Sequence, residues 1–430
     1  MEMILVKELE TYLCKTLFKG EYTAKLEASL QEKSHRLKQE LGLNEDPIQF
    51  GYDRVSKAKT IKFLGIAGIV SFGKFQIEIM PKFYESNDTW RESIFNIIYI
   101  ARSGRISPQH TTKMQRAKLN FYDHVGLKFA ECLELALSHD NIQQYKTVEA
   151  SSNYLRGRLN VSEQIRGILC HPGQLYYEQN ILSDDNAFNY LLNWCNTTLS
   201  RMVRNPGIKR RLLVLSSIIP KPKTVYKLPV DMQLPPQYQH YRDAVQIAND
   251  LAIGILSSHQ KVGKDGYGYV IATAPVYEKF IEKTLKQLSF NGQSFNVEPQ
   301  VRNIFASAQD PKMKSFYTIP DNKVYFDGKP LLLIDAKYKN NFSNSASKKP
   351  VNSDAYQLFA SLVSHGCKRG ILISPCDETI KTCTKTWEIN AQGELYTISL
   401  ILINLHDVST KAAYTTLKRE LENEIMKIIK

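Results

Sequence analysis

The 430-residue chain has no stretch approaching the roughly 18 consecutive apolar residues of a membrane-spanning helix, so no bilayer crossing is expected. Cysteine is sparse. The seven present (Cys14, Cys132, Cys170, Cys195, Cys367, Cys376, Cys383) form an odd set without a CxxC pair, which argues against a disulfide framework and a zinc ribbon. They are expected to be buried thiols. Cys367, Cys376 and Cys383 lack the fourth ligand that an iron–sulfur cluster would need. The first twenty residues contain Glu2, Glu8 and Glu10 and no small-residue cleavage pattern, so a secretory leader is not expected and the compartment reads as cytoplasmic. No internal repeat is found, and the only biased segment is NNFSNSASKK at 340–349, expected to be a loop.

What is present describes a globular protein. Apolar residues make up 43% and charged residues 23%, near the usual values for folded chains, and the length allows about two or three domains. Lys and Arg number 56 against 43 Asp and Glu, a formal charge of +13, with a sequence pI near 9.2. That excess either attracts a polyanion such as nucleic acid or simply keeps the chain soluble.

Apolar positions at Leu26, Leu30, Leu37 and Leu41 predict an amphipathic helix over 23–42, taken as the opening element. From Ile48 to Lys82, short alternating runs (IQFGYDRV, TIKFLGIAGIV, FQIEIMPK) predict an antiparallel meander or small barrel. Helical patterns follow at 89–102, 122–139, 184–204 and 237–257, with strand-like YLRGRLNV between them. Five prolines in the twenty residues IIPKPKTVYKLPVDMQLPPQ exclude regular helix there. The polar, Gly-rich stretch 257–270 marks the main boundary. Beyond it a helix near 276–289, strands near 294–303, 315–326 and 331–338, a helix near 353–365, strands near 370–374, 384–390 and 395–404, and a closing helix from 408 describe a mixed sheet with flanking helices. The expected class is therefore α+β multi-domain: a β-rich N-terminal domain (1–105), a mainly helical middle region (106–257) and a C-terminal α/β domain (258–430).

One motif misleads. Gly68, Gly73 and Lys74 match the start of a nucleotide-binding P-loop, but Phe75 replaces the hydroxyl residue that reaches Mg²⁺. The residues after Lys74 alternate as a strand, whereas a P-loop must open a helix. Any NTPase working with this chain is expected to be a partner.

The informative segment is TIPDNKVYFDGKPLLLIDAKYK at 318–339. Side chains two apart on a strand share a face, so Asp335 and Lys337 project together while Ala336 points away. Asp327-Gly328 signals a hairpin turn that returns Asp321 toward Asp335. A three-residue loop would place those aspartates opposite each other, whereas a two-residue loop would oppose Asp321 to Ile334, so a longer loop or a bulge is predicted. Two carboxylates so close repel unless a cation lies between them, and hard oxygen ligands suit Mg²⁺ or Mn²⁺. A lysine beside such a site can orient or help deprotonate water and stabilise phosphorane-like charge, the requirements of phosphodiester hydrolysis. The alternative is an ordinary strand carrying a surface ion pair. The buried-type run LLLI and the upstream Pro320-Asp321 favour the site.

Pro320-Asp321 and Asp335-Ala336-Lys337 resemble the PD-(D/E)xK nuclease superfamily. That resemblance implies a metal bound by Asp321 and Asp335, with the Ala336 carbonyl completing the coordination. VYEKFIEKTL resembles the superfamily's upstream helix and implies that Glu278 assists, with Glu282 as the competing choice. SDAYQLFASLV resembles the helix that supplies a glutamine, here Gln357; Ser361 stands where a tyrosine is often found. Three further stretches, GIAGIVSFGKFQIEIMPKF, YLRGRLNVSEQIR and DDNAFNYLLNWCNTTL, are similar to the McrC family, nuclease subunits of 5-methylcytosine restriction systems that include LlaJI-type relatives. Membership implies a Mg²⁺-dependent endonuclease acting on methylated or otherwise modified DNA. It also implies docking of the N-terminal and middle regions on a McrB-type hexameric AAA+ GTPase. Lys339, Lys348 and Lys349 are candidate phosphate contacts, or lysines of a solvated loop. The competing functions are a stand-alone repair or recombination nuclease and a non-catalytic adaptor.

Overall fold

The computed structural model describes the chain apart from residues 1, 73–74, 85–89, 107–118, 168–169, 172, 257–267, 291–292, 311–312, 327, 340–348, 377–379, 392 and 430. The P-loop-like Gly73 and Lys74, the turn residue Asp327, Lys348 and most of the 257–270 and 340–349 stretches thus lie outside the described residues. The chain divides into two compact units, Met1–His124 together with Gly254–Lys430, and Val125–Ile253. No described helix is long and apolar enough to cross a membrane.

The first unit opens with strands, not with the helix expected from the leucine spacing. Strand β1 (Glu2–Lys7) pairs in parallel with a strand seventy residues later, a partner that no local turn signal announces. Strand β2 (Thr11–Leu13) follows, then helix α1 (Ala24–Leu41). Its start is capped by the Thr23 side chain accepting from Leu26 N–H, and it ends at Gly42 in the left-handed region (φ 63°). Strands β3 (Ile48–Asp53), β4 (Ala58–Phe63), β5 (Ile66–Phe72) and β6 (Phe75–Met80) come next. They do not form one meander or closed barrel. TIKFLGIAGIV breaks at Leu64-Gly65, leaving β4 in a three-stranded sheet β2-β4-β3 and β5 in a second sheet with β6 and β1. Apolar side chains from both sheets and from α1, including Leu30, Leu37, Ile61, Phe63, Ile77 and Ile79, share one core. The strand that follows residues 73–74 disposes of the P-loop reading, since no helix opens there.

After helix α2 (Trp90–Ser103) the chain builds the second unit and then returns as β7 (Tyr269–Ala272), which completes the sheet β1-β6-β5-β7. Gly68 allows the close approach: its φ is 121°, and a Cβ there would lie 2.0 Å from the Tyr269 carbonyl oxygen. Helix α3 (Thr273–Leu285) begins at the next residue.

The rest of the first unit is built on a six-stranded sheet of β8 (Asn296–Pro299), β9 (Asn322–Phe326), β10 (Lys329–Ala336), β11 (Arg369–Cys376), β12 (Cys383–Ala391) and β13 (Glu394–Asn404), in the order β8-β9-β10-β11-β13-β12. Strands β10, β11 and β13 run parallel, and β8, β9 and β12 are antiparallel to their neighbours. Helix α4 (Asn352–His365) covers one face, where Leu333, Leu358, Leu362, Leu372, Leu400 and Leu402 pack together, and α5 (Lys411–Ile429) closes the chain.

The second unit is mainly helical, with helices at Phe121–Leu137, Val161–Gly167, Ala187–Met202, Pro206–Ile218 and Arg242–Leu256 lying wholly or largely within it. It also contains a sheet the sequence did not reveal: Gln144–Ser152 and Leu175–Ser183 pair over nine residues each, and only Arg158–Leu159 of YLRGRLNV joins them. Of the thiols, Cys14, Cys132, Cys195, Cys367 and Cys376 are buried, as expected. Cys383 is half-buried and Cys170 is exposed, because it follows a short surface helix.

Close packing of α4 on the sheet rests on Gly370, where an added Cβ would meet Leu358 side-chain atoms at 2.8–3.2 Å. Gly370→Val is therefore expected to cost about 1–3 kcal/mol by overpacking, read as a lower urea midpoint. An unchanged midpoint would show that α4 yields freely.

Candidate active site

The hairpin β9-β10 sets the site. Near the turn, Phe326 faces Lys329 and Tyr325 faces Pro330, the register of a two-residue connection. A β-bulge at Leu331 then shifts the ladder, so that Val324 faces Leu332 and Asn322 faces Ile334. One residue further, Asp321 comes opposite Asp335. The sequence predicted a longer loop or a bulge, and the chain uses the bulge.

The two aspartates clasp each other through the main chain. The Asp321 N–H donates to Asp335 Oδ1 at 3.1 Å, and the Ala336 N–H donates to Asp321 Oδ2 at 2.8 Å. The Gln300 N–H holds the Asp321 carbonyl at 3.0 Å. The remaining oxygen, Asp321 Oδ1, accepts no hydrogen bond among the described residues. Lys337 continues the β10–β11 ladder, its N–H donating to the Ile373 carbonyl at 2.8 Å. Its ammonium lies 3.2 Å from Asp335 Oδ2 and 3.4 Å from Gln357 Oε1 of α4. The i, i+2 spacing thus sets Asp335 and Lys337 side by side, and α4 brings Gln357 to the same ammonium.

Charge dominates this corner. Burial, the Asp335 carboxylate and, more weakly, Glu278 push the Asp321 carboxyl up to about 7, against the pull of the Ala336 N–H and Lys337. Burial also pushes Glu278 up; the Lys337 charge opposes this and Asp335 adds to it, so Glu278 belongs electrostatically to the same group. Burial alone would lower Lys337, but the fields of Asp335 and Asp321 outweigh it and hold the ammonium above the ordinary lysine value. Glu282 lies in a different environment. Burial would raise it, but Lys279 at 2.6 Å and Lys286 at 2.7 Å hold it below the usual carboxylate range.

The other candidates are placed differently. Lys339 is exposed, yet its ammonium is gripped by Asp354 of α4 at 2.6 and 2.8 Å. Lys349 is exposed. Sequence reasoning gave no role to Asp354, though its place in the first turn of a helix beside the motif could have suggested one. Ser361, at the position where tyrosine was the family expectation, donates to the Gln357 carbonyl at 3.0 Å.

The donor set fits a hard divalent cation. The carboxyls of Asp321, Asp335 and Glu278 are coupled to the single ammonium of Lys337, and burial together with the Asp335 carboxylate raises the Asp321 carboxyl to about 7, a shift that added positive charge would oppose. Among the described residues no three His, Cys, Asp or Glu side chains form a ready-made metal cage. The pair of aspartates would supply the carboxylate ligands, with carbonyl and water oxygens for the rest, as Mg²⁺ accepts.

A carboxyl with a raised folded pKa binds its proton more tightly in the native state, so ionising it costs stability. The cost is absent below about pH 4, grows through the interval, and is complete above about pH 7. Asp321→Asn should therefore raise the metal-free Tm by a few degrees at about pH 8 and hardly at all near pH 4. Equal shifts at both pH values in a thermal melt would contradict the assignment.

The sequence matches the family model of the McrBC 5-methylcytosine restriction system component over residues 61–375. No curated protein matches it. Among solved structures, a chain of the refined half-complex from the tetradecameric assembly of Thermococcus gammatolerans McrB AAA+ hexamers with bound McrC superposes with a TM-score of 0.61 at 16% identity, over 98% of this chain and 99% of that one. A chain of the cryo-EM structure of the T. gammatolerans McrBC complex gives 0.43 at 16% identity, over 66% of this chain and 87% of that one. The likeness at 0.61 runs through both units, and the family match covers most of the chain, including the hairpin that carries Asp321 and Asp335: the protein belongs to the McrBC 5-methylcytosine restriction system component family.

Proposed function

We propose that this chain is the DNA-cutting subunit of a modification-dependent restriction complex, hydrolysing phosphodiester bonds with Mg²⁺ at the Asp321–Asp335 pair. The observation that carries the proposal is the main-chain clasp between those carboxylates, with Lys337 and Gln357 on the same face of the sheet. A PD-(D/E)xK fold alone could serve other ends; this charge arrangement suits phosphate chemistry. Asp321 and Asp335 would hold the ion, the Ala336 carbonyl would contribute to it, and Glu278 would shape the field around it. When bound, the ion supplies Lewis-acid activation of water and of the phosphate. Lys337 remains an ammonium at neutral pH under the two aspartates, which favours its stabilising the charge that develops on phosphate over its acting as a base. Gln357 accepts from that ammonium and keeps it aimed across the site.

The family and the fold likeness support a McrB-type AAA+ GTPase hexamer as the partner, with this chain stimulating its nucleotide hydrolysis. The substrate would be DNA, methylated or otherwise modified, its reading shared with that partner. Lys349 and, once released from Asp354, Lys339 are the described lysines offered to DNA phosphates, and Lys348 would add to them.

Four measurements test this. Asp335→Ala and Lys337→Ala should each lower cleavage by at least about a hundredfold in the reconstituted complex; full cutting by either purified variant would refute the site. The same variants should stimulate partner GTP hydrolysis like the wild type, and loss of stimulation would show that the site serves docking. In calorimetry Mg²⁺ or Mn²⁺ should bind the wild type and bind Asp321→Asn far more weakly, whereas equal heats would favour a non-catalytic adaptor. Cutting by the purified chain without GTP or partner would instead favour a stand-alone nuclease.

A further inference from the structure

Behind the hairpin, on the face of β10 opposite Asp335, lies a buried polar cluster that the proposed chemistry does not use. Glu8, the residue after β1, is 1% exposed. Its Oε2 accepts from the Tyr338 hydroxyl at 2.5 Å and the Lys82 N–H at 3.3 Å, and its Oε1 accepts from the Thr273 hydroxyl at 2.8 Å. The Lys82 ammonium sits 3.7 Å from the centre of the Tyr338 ring, a cation–π contact. The Tyr338 ring also packs on Tyr277 (centroids 5.6 Å) and Phe83 (5.9 Å).

Three of these contacts, through Tyr338, Tyr277 and Thr273, lead to the candidate site. Tyr338 follows Lys337, and strand alternation sends the two side chains to opposite faces. Tyr277 precedes Glu278, and its hydroxyl donates to the Ile373 carbonyl, the acceptor that also receives the Lys337 N–H. Thr273 is the first residue of α3, the helix that carries Glu278. One carboxylate from the N-terminal sheet therefore ties down both the strand end that presents Lys337 and the helix that presents Glu278. Burying such charges adds little net stability, so a positional role accounts for the cluster better than a stabilising one.

We infer that Glu8 and Tyr338, with Lys82 capping the ring, are positioning residues through which the N-terminal sheet sets the reach of Lys337 and Glu278. The inference rests on the nuclease reading above and adds residues to it. None of the three touches the proposed metal ligands; they act through the backbone of Lys337 and the seat of α3.

The test uses the full chain with its GTPase partner, modified DNA and Mg²⁺. Tyr338→Phe removes only the hydroxyl and keeps the ring under Lys82; Glu8→Gln keeps the shape. Each should lower kcat by about ten- to a hundredfold, as loss of a supporting shell commonly does, while KM and DNA affinity stay near wild type. The loss in the double variant should be smaller than the product of the two single losses, since Glu8 and Tyr338 act through a hydrogen bond they share. Unchanged kcat in both variants, or a rise in KM that accounts for the whole loss of kcat/KM, overturns the positioning role while Lys337→Ala still marks the site. Absence of cutting by the wild type itself overturns both readings.

Discussion

Two like charges held side by side govern this structure. At about 4 Å, a pair of unit charges repels by about 4 kcal/mol near a protein surface, and hydrogen bonds to charged groups return about 1.5–3 kcal/mol each. The bonds from the Asp321 N–H to Asp335 and from the Ala336 N–H to Asp321 are therefore of the right size to keep the carboxylates together, but not to neutralise them. Burial and, after it, that repulsion hold the Asp321 carboxyl up at about 7, while the two aspartates hold the Lys337 ammonium above its ordinary value. A site in this condition accepts positive charge readily, which is why the geometry and the electrostatics point to the same chemistry.

The fold brings the pair about by a small irregularity. Without the bulge at Leu331, the two-residue connection would place Asp321 opposite Ile334, and its carboxylate could not exchange main-chain bonds with the Asp335 strand. The parallel neighbour β11 then extends the platform by accepting the Lys337 N–H at Ile373. Helix α4 completes it from above with Gln357 and Asp354, seated close to the sheet by Gly370.

Much of this was legible in sequence because it is local. Alternation placed Asp335 and Lys337 on one face, Asp-Gly placed the turn, and the demand for facing carboxylates left only a longer loop or a bulge. The choice between them was not legible, since a bulge depends on how the whole ladder settles. Long-range pairing was equally hidden: nothing in MEMILVKELE marks a strand that lies parallel to Phe75–Met80, and the leucine-rich helix after it drew attention instead. Glu8 counted in the sequence only as a charge unsuited to a leader. Its role depends on Thr273 and Tyr338, residues that meet it only in the fold. In the second unit, Gln144–Ser152 is polar and has no buried residue, and Leu175–Ser183 carries its apolar residues side by side (Leu175-Tyr176-Tyr177, Ile181-Leu182), so neither shows the clear apolar alternation that announces a strand.

The route of the chain gives the N-terminal sheet a direct mechanical hold on the site. Strand β7 closes that sheet against β5, and the very next residue begins α3, so edge strand and acid-bearing helix are joined without an intervening loop. Thr273 is fixed at this junction from two sides, its N–H donating to the Gly65 carbonyl at 3.0 Å and its hydroxyl to Glu8. A displacement of β5 or β1 must therefore either break these bonds or carry the start of α3 with it. Packed elements of this kind move as rigid bodies more readily than they deform. An event that shifts the N-terminal sheet would thus reach Glu278 through the helix and Lys337 through Tyr338, along two short paths that share the Glu8 carboxylate.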